Sequence, residues 1–470
     1  MFFPAIYWLN DDILLGIFHC YRLNKENNWN YRLGWRRLSQ VCQRWRHLIY
    51  ECSSHLGMYI QCTNGSPMVN TLDHLPLLPL FVYYDSHLAP TVLEQDELGI
   101  YHTLQLNGRI RHFQLDLPPS NFHKALTLMN DNFPILERLY LSCWFCRFPA
   151  DSGHHLPLTL PRAFLAPNLL HLTLIGIGLP KRLRMLTSTV SLVTLELRHI
   201  QTSSYFRPRL LVARLRSLPL LEELSIEFSI PIPRPSTERE LLGEKGAPIA
   251  LPSLKTLVFI GVGAFLDSLV AQIRVPLLEK LRIWLFNQIA FVLPNLFYLI
   301  NITKVFRLFS AAVSFDVNDV SVYVAHHDAS GPPRRKLFSL SVSCKPLDWR
   351  IDCAAQICHA LIPTLSGVEE LYLVLDHYET PTELRNGGID SATWHDLLRT
   401  FTEVKKLHIT NNANGFLEEV SRALEVDGIG LDPGFLPNLR SILAKDNLFT
   451  SFIDTRQVVG RPVQFEEYLW

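Results

Sequence analysis

From residue 133 onward the chain keeps returning to one short phrase, and that recurrence constrains its fold more than any other feature. The phrase reads "FPILERLYL", "APNLLHLTL", "VSLVTLEL", "LPLLEELSI", "LPSLKTLVF" and "VPLLEKLRI", and later "LSGVEELYL", "FTEVKKLHI" and "LPNLRSIL". With Leu136, Leu169, Leu192, Leu221, Leu254 and Leu278 as markers, the steps are 33, 23, 29, 33 and 24 residues. Within each phrase, leucines alternate with polar residues, as in Leu139, Tyr140 and Leu141. A strand with one buried face requires that period of two. Proline just ahead of the phrase suits the entry to a strand, outside its hydrogen-bonded part.

A mean step near 28 residues lies within the roughly 20 to 29 of leucine-rich repeats, with loop insertions accounting for the longer steps. Stacked side by side, such units form a parallel sheet over a continuous leucine core. Asparagines that satisfy turn backbone after the strand stand at Asn412 and Asn447 but are missing from most units, so the solenoid is expected to be irregular. Between about 294 and 360 the phrase blurs. "LPNLFYLINITKVFRLF" reads as a helix, "AAVSFDVNDVSVYVA" as a hairpin across Asn318–Asp319, and "LFSLSVSC" as a strand, which makes this part a modified repeat or an insertion.

The outward strand positions 140, 173, 196, 225, 258, 282, 372 and 408 read Tyr, Thr, Glu, Ser, Val, Arg, Tyr and His. Two residues further along each strand stand Ser142, Ile175, Arg198, Glu227, Ile260, Trp284, Val374 and Thr410. Aromatic and arginine side chains are the usual anchors of protein recognition. Tyr140, Arg282, Trp284 and Tyr372 are therefore the candidate contacts for a protein substrate. For any one of them the alternative is a half-buried sheet residue or one covered by a loop.

Ahead of the repeats lie short amphipathic helices. "LNDDILLGIFHCYRL" carries the stripe Ile13, Leu14, Ile17, Phe18 and Tyr21; Asn10 can cap its first turn, and Asp11 and Asp12 complement the helix dipole. In "LSQVCQRWRHLIYEC", Val41, Trp45, Leu48, Ile49 and Cys52 fall within about a quarter turn. A bundle of some fifty residues buries too little surface to be robust alone, so an external partner helix would complete it.

Leu9 with Ile13–Leu14 and Ile17–Phe18, followed by "VCQRW" at 41 to 45, resembles the F-box motif, and "LIYECSSHLGMYIQCTNG" with the following "LDHLPLLPL" is similar to the F-box proteins of mushroom-forming fungi. The resemblance covers about the first fifty residues. Asn10 stands where the family usually has proline, and the gap over Leu23–Leu33 is longer than usual. The resemblance implies a non-catalytic substrate receptor of an SCF-type cullin–RING ubiquitin ligase, docking on a Skp-type adaptor while the repeats bind a protein substrate. Carried over by position, Leu9, Ile13, Leu14, Ile17, Phe18, Val41, Cys42, Trp45 and Leu48 would form the bundle core and the adaptor face. The alternative is a repeat scaffold whose N-terminal helices only cap the solenoid.

The expected fold is therefore α/β: an N-terminal three-helix F-box-like bundle over 1–55, a connecting segment over 56–125 that could hold the first repeats, an irregular leucine-rich-repeat-like solenoid over 126–455, and a tail over 456–470. Lys plus Arg and Asp plus Glu both total 44, so the formal charge is zero. A nucleic-acid binder should carry a basic excess, so no nucleic acid is expected as a partner. Nine scattered cysteines suit reduced thiols in a cytoplasmic or nuclear protein. "MFFPAIYWLNDD" has no positive region of a secretory leader. "LFNQIAFVLPNLFYLINIT" is interrupted by Asn287, Gln288, Pro294, Asn295 and Asn301, which argues against a membrane span.

Chemistry appears only in fragments. "CWFC" at 143 to 146 has redox spacing but precedes a loop-like stretch where the known redox site needs a helix. Cys353, Cys358 and His359 have no fourth metal ligand at a matching spacing, and "CAAQICHAL" reads as a helix with Cys353 and Ile357 inward. No enzyme, metal or cofactor is expected.

Overall fold

The computed structural model describes residues 9–23, 34–52, 59–65, 72, 77–85, 92–143, 158–180, 184–201, 204–229, 248–286, 291–307, 310–316, 319–325, 336–344, 347–375, 391–411, 414–425 and 436–467. Among them, no helix is long and apolar enough to cross a membrane. The chain divides into two compact units, Met1–Ser204 and Tyr205–Trp470. Both are mixed α/β, built on parallel strands with helices between them, in the solenoid-like manner of leucine-rich repeats.

The first unit begins with three helices, α1 (Asp11–Leu23), α2 (Gly34–Ser39) and α3 (Gln43–Glu51). Six strands follow: β1 (Ile60–Cys62), β2 (Leu80–Asp85), β3 (Ile110–Asp116), β4 (Arg138–Ser142), β5 (His171–Ile175) and β6 (Thr194–Ile200). Each pairs with the next, always in parallel. Parallel neighbours need a crossover on one face of the sheet. Glu94–Gln105 and Pro119–Leu128 supply helical crossovers on either side of β3, the second with proline in its first turn, where the missing N–H costs nothing.

The repeated phrase explains the core. Leu139 faces Leu172 across the sheet, and Leu172 faces Leu195; Leu141, Leu174 and Leu197 repeat the pattern one layer along. All six are at most 2% exposed. Burying a leucine side chain contributes about 1.5–3 kcal/mol, so each added strand stabilises its neighbour through this column. Polar links join successive strand entries: Asn168 Nδ2 donates to the Pro134 carbonyl at 2.7 Å, and Arg111 meets Glu137 at 2.8 Å.

The second unit contains β7 (Glu223–Phe228), β8 (Ile249–Ala250), β9 (Thr256–Gly261), β10 (Ile273–Arg274), β11 (Lys280–Phe286), β12 (Ser310–Phe315), β13 (Asp319–Ala325), β14 (Lys336–Ser343), β15 (Glu370–Leu375), β16 (Lys406–Asn411), β17 (Ser441–Ala444) and β18 (Gln464–Glu467). The two-residue strands β8 and β10 pair only with each other. The others lie in the order β7-β9-β11-β14-β13-β12-β15-β16-β17-β18. All these neighbours are parallel except β14 with β13 and β13 with β12. The blurred stretch of sequence is thus an insertion that places one reversed strand within a parallel sheet.

One expectation changes here. The sheet runs on past residue 455, where a tail was expected: Phe465 sits in register with Ile442, because Ser441–Ala444 would otherwise leave its outer backbone edge unpaired. Of the two turn asparagines, Asn447 is exposed and Asn412 lies outside the described residues.

Candidate protein-interaction surfaces

In the helical module, local sequence places each side chain. Asn10 Oδ1 accepts the Ile13 N–H at 2.9 Å, so α1 starts where its capping residue directs. Arg44 on α3 donates to Asp11 at 2.6 Å and to the Leu9 carbonyl at 2.6 Å, tying the start of α1 to α3. Cys42 caps α3, its sulfur accepting the Trp45 N–H at 3.5 Å.

These anchors divide the nine candidate residues of the helical module. Leu14, Phe18, Trp45 and Leu48 are buried, with Ile49 beside them, and form the bundle core. Ile13 is 49% exposed, Ile17 42% and Val41 60%. Leu9 and Cys42 are half-buried and serve as a backbone acceptor and a cap. The sequence placed Ile13 and Ile17 on one stripe with Leu14 and Phe18, and Val41 on one stripe with Trp45. The structure corrects this: α3 covers only the Leu14–Phe18 side of α1, and Val41 lies in the turn before α3 begins. Ile13 and Ile17, one turn apart, are adjacent on the bare side.

On the first unit's sheet, the positions opposite the leucine core carry rings and charges. Tyr59 stacks on Phe81 with centroids 3.7 Å apart, and Phe81 stacks on His112 at 3.9 Å. Phe81 pairs with His112 in register, and His112 with Arg138. Burial, together with the Arg138 and Arg111 charges, lowers the His112 pKa to about 4 against the opposing pull of Glu137. Tyr140 is half-buried on this face, in register with Gln114 and Thr173, so this candidate stays partly accessible. Tyr83 donates to Asp85 at 3.3 Å; burial and that carboxylate raise its pKa. The ring stack was missed in the sequence because β1 to β3 lack the leucine phrase; the alternation in "LFVYYD" was its only signal. A groove of about 470 Å³ at the strand entries is lined by residues that include Arg111, Ile135, Glu137, Asn168 and Ser191.

In the second unit, Arg282 and Trp284 stand on β11 as expected. Both are exposed between the buried Leu281, Ile283 and Leu285. The Trp284 indole N–H donates to Ser343 Oγ at 2.7 Å, which fixes the ring on the sheet. Tyr372 is different. It was expected on an open wall, but it is 1% exposed and clusters with Ala312, Tyr323, Ala325 and Val374, its ring stacked on His408 with centroids 4.1 Å apart. The insertion causes this, since β12 brings the small Ala312 beside Tyr372 and β13 brings Tyr323 next in register. Arg282 and Trp284 therefore share a surface that Tyr372 does not join.

The fragments of chemistry lie on separate elements. Cys143 is buried, and Cys146 lies outside the described residues. Cys353, Ile357 and Cys358 face inward from the helix Leu347–Ala360, and burial pushes the Cys358 thiol pKa up, away from reactive thiolate. Among the described residues, no three His, Cys, Asp or Glu side chains gather as a metal site. Asn301 is engaged internally, donating to the Ala360 carbonyl and accepting from Thr364.

No family model matches the sequence, and no curated protein matches it. Among solved structures, a TLR13–ssRNA13 complex is similar at 13% identity and a TM-score of 0.33, over 84% of this chain and 48% of that one. The chain thus spans about half the length of the solved chain it matches.

Proposed function

We propose that this chain is a non-catalytic substrate-recognition subunit of an SCF-type cullin–RING ubiquitin ligase, in the cytoplasm or nucleus. The observation that carries the reading is the division of the helical module. Leu14, Phe18, Trp45 and Leu48 make its core, while Ile13, Ile17 and Val41 stay exposed next to it. Exposed apolar residues adjacent on a small bundle, as Ile13 and Ile17 are one turn apart on α1, suit a partner helix better than solvent. A Skp-type adaptor is that partner in the resemblance carried by Leu9, Ile13–Leu14, Ile17–Phe18 and the Val41–Trp45 stretch. The sheet would then hold a protein substrate, and this chain would contribute proximity while other subunits carry out the transfer.

A scaffold reading has its own support, because α1 to α3 fall in the same compact unit as β1 to β6, as a cap would. Adaptor binding separates the two. The purified chain is titrated with a Skp-type adaptor beside the double variant Ile13→Asp, Ile17→Asp, with helicity followed by circular dichroism. The receptor reading expects affinity to fall at least about a hundredfold without loss of helicity, since truncating central interface anchors commonly costs 2 kcal/mol or more each. A folded parent that does not bind the adaptor leaves the scaffold.

A further inference from the structure

The neighbouring strands β9, β11 and β14 read "TLVFIG", "KLRIWLF" and "KLFSLSVS", and none contains an acidic residue. Their face opposite the core nevertheless carries Arg282, with Lys280 two residues before it, and Lys336, whose ammonium lies 3.9 Å from the Tyr323 ring centroid. Several cations at other strand entries have carboxylate partners: Arg111 with Glu137, Lys255 with Glu222 at 2.9 Å, and Lys405 with Glu369 at 2.7 Å. Lys280 and Arg282 form no ion pair among the described residues. Beside Arg282 stands Trp284, 41% exposed and pinned by Ser343, with Val258 and Ile260 in register next to the two.

An uncompensated guanidinium and a fixed, open indole on one strand ask for opposite chemistry in a partner: a carboxylate and a large apolar side chain. Residues two apart on a strand are about 6.6–6.8 Å from each other, the same in the partner as in β11. We propose that this surface takes an extended, acidic segment of a protein substrate, with a carboxylate on Arg282 and an aromatic or large aliphatic side chain two residues away on Trp284. This rests on the reading of the sheet as the substrate-holding part, and it names the class of substrate. The indole offers rigid contact area at little entropic cost, and the exposed Arg282 favours acidic partners and speeds their encounter.

The test uses the full chain without adaptor and fluorescein-labelled twelve-residue peptides read by anisotropy. One set carries Glu-Ser-Phe, one the reverse order Phe-Ser-Glu, and controls replace Glu by Gln or phosphoserine, or Phe by Ser. One order of the Glu and Phe pair should bind, and each control should bind at least about tenfold more weakly. Trp284→Ala should show the same loss, and Arg282→Glu should shift preference to a Lys-Ser-Phe peptide. The Ile13→Asp, Ile17→Asp chain should bind the peptide like the parent, so failure of adaptor docking and failure of this site are read separately. Equal binding of the Gln peptide, preference for phosphoserine over Glu, or no binding to the folded chain would overturn the assignment.

Discussion

The ring of Phe18 on α1 meets the indole of Trp45 on α3 edge-on, with centroids 4.9 Å apart and planes at 64°. This contact sits at the centre of the core between two helices that are also tied by the Arg44 links to Asp11 and Leu9. Trp45→Ala should therefore unfold the module, because truncating a buried aromatic costs about 3–5 kcal/mol and a bundle this small has little to spare. Hydrogen exchange over Gln43–Glu51 should rise to the rate of unstructured peptide while β7 to β18 stay protected.

Arg44→Ala should act far more mildly. The Arg44–Asp11 pair is exposed, at 38% and 60% of the two side chains, and such pairs contribute about 0–1 kcal/mol. A change in the module's melting of more than a few degrees would mean that the bond to the Leu9 carbonyl carries unusual weight.

Asp267, on the helix Gly263–Val270, accepts the backbone N–H groups of Asn295 and Leu296 at 2.9 Å each, capping the helix Pro294–Ile302 from the preceding repeat. Leu293, at the cap position itself, offers no side-chain bond. Asp267→Ala should cost about 1–2 kcal/mol, as cap removal does, and Asp267→Asn less. Urea unfolding with an unchanged slope checks both.

Gly261 closes β9 against Phe228, Phe259 and Phe265, three rings within 6.0 Å of one another by centroid. An added Cβ would lie 2.6 Å from Phe228 and 2.9 Å from Phe259. Gly261→Ala should destabilise the second unit by about 1–3 kcal/mol through overpacking. Trimming the neighbouring ring in the double variant with Phe228→Leu should return part of that loss.

His112 makes the first unit acid-sensitive. Its pKa is about 4 in the folded chain, against about 6.5 for the unfolded one, so between these values the unfolded state binds more protons. Stability from this group is complete above about pH 6.5 and is lost as the pH falls toward 4. His112→Gln should flatten the dependence of melting temperature on pH in that window, whatever it does to the absolute value. An unchanged slope would assign the acid response to other groups.

The strands were legible where one residue in two met the core. Leu139, Leu141, Leu172 and Leu174 stand where their alternation places them, and Asn10 marks the start of α1. Two things were out of reach. Which side of α1 is covered depends on where α3 lands, so no helical stripe could separate Ile13 and Ile17 from Leu14 and Phe18. The burial of Tyr372 depends on Ala312 and Tyr323, which lie beside it only because β12 and β13 enter the sheet between β11 and β15. Arg282 and Trp284 were readable because their neighbours on β9 are ordinary repeat positions. Lys280 and Lys336 passed unnoticed, since the absence of acid around them is a property of three strands at once.

That insertion also dictates an order of assembly. After β11 the chain travels about three strand spacings, roughly 14 Å, before laying down β12, and it fills the gap only when β13 and then β14 turn back. Growth strand by strand along the chain, the natural route for a stack of repeats, stops at this point. The last residues of the insertion, Phe338 to Ser343, are the keystone: they alone pair with β11 on one side and β13 on the other, so until they arrive the sheet from β12 onward has no bond to the strands laid down before it. The ribosome must have delivered Ser343 before the two halves of the second unit's sheet can join through a complete β14.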